Sequence, residues 1–134
     1  MPSLNPSAEQ LAHFVEAMPS GVPITMLNLL RFNEQAQYPA GSEHSPCSGR
    51  QAYARYSRIA LARVQAAGGA VEFAAQAHAA LIAPADERWD ELLLVRDPSK
   101  EAFREMSGAE QYLAAAEHRT AALADSRLIG TTAR

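Results

Sequence analysis

Apolar and polar positions follow two periods along this chain, and the switches between them mark out its elements. Leu11, Phe14, Val15 and Met18 recur at helical spacing. Ser7 and Gln10 form a capping box ahead of them, and Pro19-Ser20-Gly21 ends the helix. Residues 24–30 read as a strand apolar on both faces apart from Thr25 and Asn28, the pattern of a central strand covered on both sides. Residues 31–48 have no period and contain Pro39, Gly41 and Pro46. They form a long connection, of a length typical of functional or mobile segments.

Residues 49–69 return to a helical stripe through Tyr53, Tyr56, Ile59, Ala60, Val64 and Ala67, stopped by Gly68-Gly69. Residues 71–82 then alternate: Val71, Phe73, Ala75 and Leu81 face the core, while Glu72, Gln76 and His78 face a wetter side, as on an edge strand. The apolar run at residues 92–95 is a third strand, preceded by Trp89-Asp90 and stopped by Asp97-Pro98-Ser99. Pro98 cannot donate to a sheet ladder, and Ser99 is a good N-cap for the helix that follows. Ser107 and Glu110 read as a second capping box, so that helix restarts there with a kink before Tyr112, Leu113, Ala116 and Arg119. Residues 125–132 form the last strand around Leu128 and Ile129.

After its leading helix the chain thus reads β-α-β-β-α-β, the split-βαβ pattern of an α+β, ferredoxin-like fold. Right-handed crossovers give an antiparallel four-stranded sheet of order 4-1-3-2. Both long helices pack on one face. The other face carries the second apolar side of the two central strands, and a contiguous apolar face of that kind marks an association surface. The expected partner is a second copy, with two sheets face to face in a dimeric α+β barrel.

Composition narrows the partners. The chain has 134 residues, a single domain with residues 1–22 as a helical extension and residues 23–134 as the ferredoxin-like unit. A net charge of −3 and a pI near 5.8 argue against a nucleic-acid binder. Cys47 is the single cysteine, so no intrachain disulfide is possible, which fits a reducing cytoplasm. The first residues lack the basic and apolar regions of a signal peptide, and no apolar run approaches the roughly 20 residues of a membrane span.

Several motifs together resemble the DUF1330 family: residues 26–32 (MLNLLRF), Trp89-Asp90, residues 97–103 (DPSKEAF) with Met106, and residues 118–128 (HRTAALADSRL). The chain departs from that family at Asp97, where an aromatic residue is common before the Pro-Ser pair. The resemblance implies a ferredoxin-like member of the dimeric α+β barrel superfamily and no particular reaction. That superfamily includes cofactor-free quinol monooxygenases and haem-degrading enzymes.

The candidate chemistry is sparse. Asn28 interrupts a central strand and must find partners there, either a ligand carbonyl or a neighbouring protein group. His118 and Arg119 end the last helix, with Asp125 and Ser126 just beyond. Arg119 either pairs with Asp125 to fix the junction or binds a substrate carboxylate, with Asp125 orienting it and Ser126 assisting. Tyr53 and Tyr56 are placed to line a pocket mouth or to pack in the core. Trp89 reads as a packing anchor and Asp90 as a turn cap. His78 is a candidate acid-base group or a solvated edge residue. Glu43, His44 and Cys47 fall short of the four ligands of a tetrahedral metal site, and no partner cluster completes them, so neither a metal nor a cofactor is expected. There is no phosphate-binding glycine loop, nucleophile elbow or HExxH pair.

Three functions compete on these residues. One is a small-molecule binder or cofactor-free enzyme with a pocket beside Asn28, Tyr56 and Arg119. The second is a non-catalytic structural or binding homodimer in which those side chains satisfy one another. The third is a haem-degrading or quinol monooxygenase-like enzyme, with His78 as its strand histidine. Free volume beside Asn28, and the partner of Arg119, discriminate the first two.

Overall fold

A computed structural model describes residues 2–134. The elements run α1 (Ala8–Ala17), β1 (Ile24–Phe32), α2 (Gly49–Ala66), β2 (Ala70–Gln76), β3 (Glu91–Asp97), α3 (Lys100–Ser107), α4 (Glu110–Ala122) and β4 (Leu123–Thr131). The sheet is antiparallel with order β2-β3-β1-β4. This is the α+β ferredoxin-like arrangement read from the chain, with the two apolar strands at the centre.

Capping places the helices. At α1, Ser7 accepts from the Gln10 amide and the Gln10 side chain accepts from the Ser7 amide. Ser48 and Gln51 repeat that box at α2. Replacing Ser48 by Ala is expected to cost about 1 kcal/mol of stability, read as a shift in the urea midpoint with an unchanged slope. Gly49 starts α2 because nothing larger fits: a Cβ there would lie 2.0 Å from the Asn33 carbonyl oxygen and 2.7 Å from that of Ala122. The helix is thereby pressed against the end of α4.

The sheet has two unlike faces. Ile24, Met26, Asn28 and Leu30 of β1 point under the helices and are all buried. The register puts Leu93, Val95 and Asp97 of β3, and Ser126 and Leu128 of β4, on that same side. Thr25, Leu27 and Leu29 point the other way, with Leu92 and Leu94 beside them. α1 lies over the β4 edge, where Gly130 admits it: a Cβ at Gly130 would fall 2.6 Å from the Phe14 ring. Phe14 in turn meets Phe103 of α3 edge-on at 5.7 Å.

Four local expectations need correction. The second strand ends at Gln76 rather than at residue 82, because β3 begins at Glu91, opposite Gln76, and only the Ala77 amide finds a further partner, the Asp90 carbonyl. Leu81 and Ile82 are left 97% and 93% exposed. A bulge between Val71 and Phe73 breaks the alternation, so Phe73 lies opposite Leu94 on the open face instead of in the core. The break at Gly108 is present, but the second capping box is not: Ala109 is the N-cap of α4 and makes no side-chain bond, while Ser107 Oγ donates to the Arg104 carbonyl. The last strand starts two residues early, at Leu123.

Candidate functional site

A partly enclosed cavity of about 610 Å³ lies between the helix-side face of the sheet and the helices. Its floor includes Met26, Asn28, Leu93, Val95 and Leu128, and α2, α3 and α4 supply walls through Val64, Phe103 and Ala116. α1 and residues 3–6 close another side. Part of the N-terminal extension, from Ser3 to Phe14, therefore contributes to the cavity.

Arg119 lines this cavity and is only 9% exposed. It does not pair with Asp125. One guanidinium nitrogen donates to the Leu4 carbonyl at 2.6 Å and another to Ser126 Oγ at 3.4 Å. Ser126 Oγ itself donates to the Ser3 carbonyl. Among the described residues no carboxylate lies within ion-pair distance of Arg119. A buried guanidinium held by neutral oxygens keeps an uncompensated charge and leaves donor capacity for an anion.

Beside it stands a cluster of phenols. Tyr53 and Tyr56, on one face of α2, lie 5.3 Å apart ring to ring, and the Tyr56 and Tyr112 hydroxyls share a 2.8 Å hydrogen bond. Burial pushes both α2 phenols well above their usual range, and Arg119 works against that shift. They are neutral hydrogen-bonding groups at physiological pH. Asn28 is 9% exposed, and its amide nitrogen donates to the Met26 carbonyl at 3.3 Å. Arg119, Asn28, Tyr56 and Ser126 thus all line the one cavity.

The remaining candidates lie elsewhere. The Asp125 carboxylate is outside the cavity, accepting from the Ser3 and Ser126 amides and pairing with Arg127 at 3.0 Å. Burial would raise its pKa, but those amides and Arg127 together hold it below the ordinary carboxylate range. His118 is also outside. Its Nδ1 bonds the Tyr38 hydroxyl at 2.6 Å, Arg55 donates to that same hydroxyl, and the His44 ring lies 4.4 Å away. Burial, then His44 and Arg55, lower its pKa, and its bond to Tyr38 pins the long connection onto α4. Glu43, His44 and Cys47 do not assemble: His44 turns to Glu117 at 3.5 Å, and among the described residues no group of three such ligands could hold a metal. Asp90 accepts from the Phe32 amide, and Trp89 carries the Arg127 guanidinium 5.0 Å over its ring; both secure the sheet end. His78 lies beyond β2 and off the cavity.

Sequence reasoning passed over Tyr112 and Asp97, both on the cavity wall. Tyr112 is hidden because α4 carries little amphipathic contrast. Asp97 could have been found from the strand period, since it shares a face with Leu93 and Val95. It is 1% exposed, and burial raises its pKa from 3.8 to about 6.

No protein-family model matches this chain, and no curated protein does. Among solved structures it is similar to the methylated RPA0582 protein, with 38% identity, a TM-score of 0.90, and coverage of 99% of this chain and 96% of that one. The chain belongs to the RPA0582 family. A second structure of RPA0582, described as a protein of unknown function from Rhodopseudomonas palustris, matches at 37% identity and a TM-score of 0.88 over 98% of this chain and 96% of that one. Beyond RPA0582, the chain resembles SnoaB, a cofactor-independent oxygenase from Streptomyces nogalater, at 18% identity and a TM-score of 0.50, covering 84% of this chain and 94% of that one. At that identity the likeness is one of fold. Among the described residues no helix is long and apolar enough to cross a membrane.

Proposed function

We propose that this RPA0582-family protein, DUF1330-like in its motifs, binds a small, largely apolar organic acid in the cavity between sheet and helices. The observation that carries this is Arg119: a buried guanidinium with no carboxylate partner among the described residues, on the wall of an apolar cavity of about 610 Å³. That volume suits a small-molecule site with a few convergent polar groups. Arg119 holds the ligand carboxylate, Ser126 steadies Arg119, and Asn28 and the Tyr56–Tyr112 pair orient the body. His78, the histidine of the haem-degrading reading, does not line this cavity.

Calorimetry with decanoate and decanol tests this. Decanoate is expected to bind at least about tenfold more tightly, the worth of one charge-assisted contact. Equal affinity for the acid and the alcohol would remove the carboxylate reading.

We also propose that the protein is a homodimer through its open sheet face. Leu27, Leu29, Leu92 and Leu94 lie there, with Phe73 54% and Ile129 51% exposed. Four strands about 4.8 Å apart and roughly eight residues long present about 500 Å². A standard interface buries about 800 Å² on each side. Leu81 and Ile82, just past β2, supply further apolar area. Leu94→Glu is expected to weaken the dimer at least about tenfold, read by light scattering across a dilution series. A wild-type chain that stays monomeric at micromolar concentration would sink this assembly.

A further inference from the structure

Besides Arg104, Arg119 and Arg127, the described cavity lining carries one carboxylate, at the end away from Arg119. Asp97 closes β3 on the face of Leu93 and Val95, and its Oδ1 has no hydrogen-bond partner among the described residues. The work a carboxylate in an Asp-Pro-Ser turn could do is taken by other groups. Ser99 Oγ accepts from the Ala102 amide and caps α3. Lys100, itself buried, gives its ammonium to the carbonyls of Val15 and Met18. Glu101 accepts from the Gly21 amide. A buried carboxylate without a donor costs stability, so Asp97 stands as an acceptor awaiting one.

Its position sets a length. Asp97 lies opposite Ile24, while Ser126, bonded to Arg119, lies opposite Leu30. At about 3.3 Å per residue the two ends of the site are about 20 Å apart along β1, and Asn28 stands about 13 Å from the Asp97 end. Met26, Val95, Phe103 and Met106 line the stretch between.

We propose that Asp97 is a second ligand anchor, accepting from an ammonium or hydroxyl group at the far end of an elongated apolar acid whose carboxylate Arg119 holds. This rests on the carboxylate reading above. It narrows the ligand class to ω-amino or ω-hydroxy acids with an apolar body.

Calorimetry of the intact chain with dodecanoate, ω-hydroxydodecanoate and ω-aminododecanoate tests it. The wild type is expected to bind at least one substituted acid about tenfold more tightly than dodecanoate. Preference for the amine alone identifies an ammonium; preference for both identifies a general donor. Asp97→Leu should abolish the preference, so that the three acids bind alike. Asp97→Asn keeps only a neutral acceptor and should reduce the preference without erasing it. Arg119→Leu should weaken all three acids alike. Equal affinity of the wild type for the three acids, or a preference that survives loss of Asp97, overturns the second anchor; if Arg119→Leu still weakens binding, the carboxylate reading stands. Failure of every acid to bind the wild type, or indifference to Arg119→Leu, removes both.

Discussion

Arg119→Leu is expected to lower the affinity for an apolar acid about 100-fold while leaving the fold intact. The guanidinium offers the ligand charge-assisted hydrogen bonds, worth about 1.5–3 kcal/mol each, and about 1.4 kcal/mol is a factor of ten. The stability effect is smaller because the native arginine is not half of an ion pair. Leucine removes a buried charge, and replacing buried charge by apolar volume is near neutral. Two groups lose a partner. The Leu4 carbonyl loses its 2.6 Å donor, whereas Ser126 Oγ still donates to the Ser3 carbonyl. Arg119→Lys keeps the charge and loses the fork, so an intermediate loss of about tenfold is expected. Calorimetry with decanoate, beside thermal denaturation of each variant, separates the two effects. A collapse of stability in Arg119→Leu with unchanged decanoate affinity would assign the residue to the junction alone.

The order of elements was legible because the hydrophobic period changes cleanly at each boundary. The two strands apolar on both faces, residues 24–30 and 92–95, are the central pair of the sheet. What was not legible was set by pairing between strands. The length of β2 depends on where β3 begins, and the bulge at Glu72 that turns Phe73 outward is a property of the pair, not of either strand. The cavity wall was legible where a polar residue breaks an apolar period, as Asn28 does. The partner of Arg119 was not. Asp125 is close in sequence, but β4 turns it to the opposite face from Ser126, and the N-terminal segment takes its place through Leu4. Long-range contacts of that kind leave no periodic trace.

Asp97→Asn is expected to make the protein more stable at neutral pH, and the gain should vanish in acid. The sign follows from proton binding. Burial raises the folded-state pKa from 3.8 to about 6, so between those values the native chain holds a proton that the unfolded chain has released. Stability then falls as pH rises through that window, opposite to the usual behaviour of a paired aspartate. Below pH 3.8 both states are protonated and Asp97 carries no penalty; above about pH 6 the penalty is complete. At about 1.4 kcal/mol per pKa unit, its ceiling is about 3 kcal/mol. The amide cannot ionise, so the difference between wild type and variant isolates this one group. Lys100, Glu101 and Arg104 are common to both proteins and cancel. Urea denaturation from pH 4 to pH 7.5 should show the two curves diverging with rising pH and running parallel above about pH 6. An anchoring carboxylate that waits for a donor weakens the empty protein in this way. A carboxylate that served the β3–α3 turn would give the reverse, with Asp97→Asn the less stable at neutral pH and the gap closing in acid, and that result would end its assignment to the ligand site.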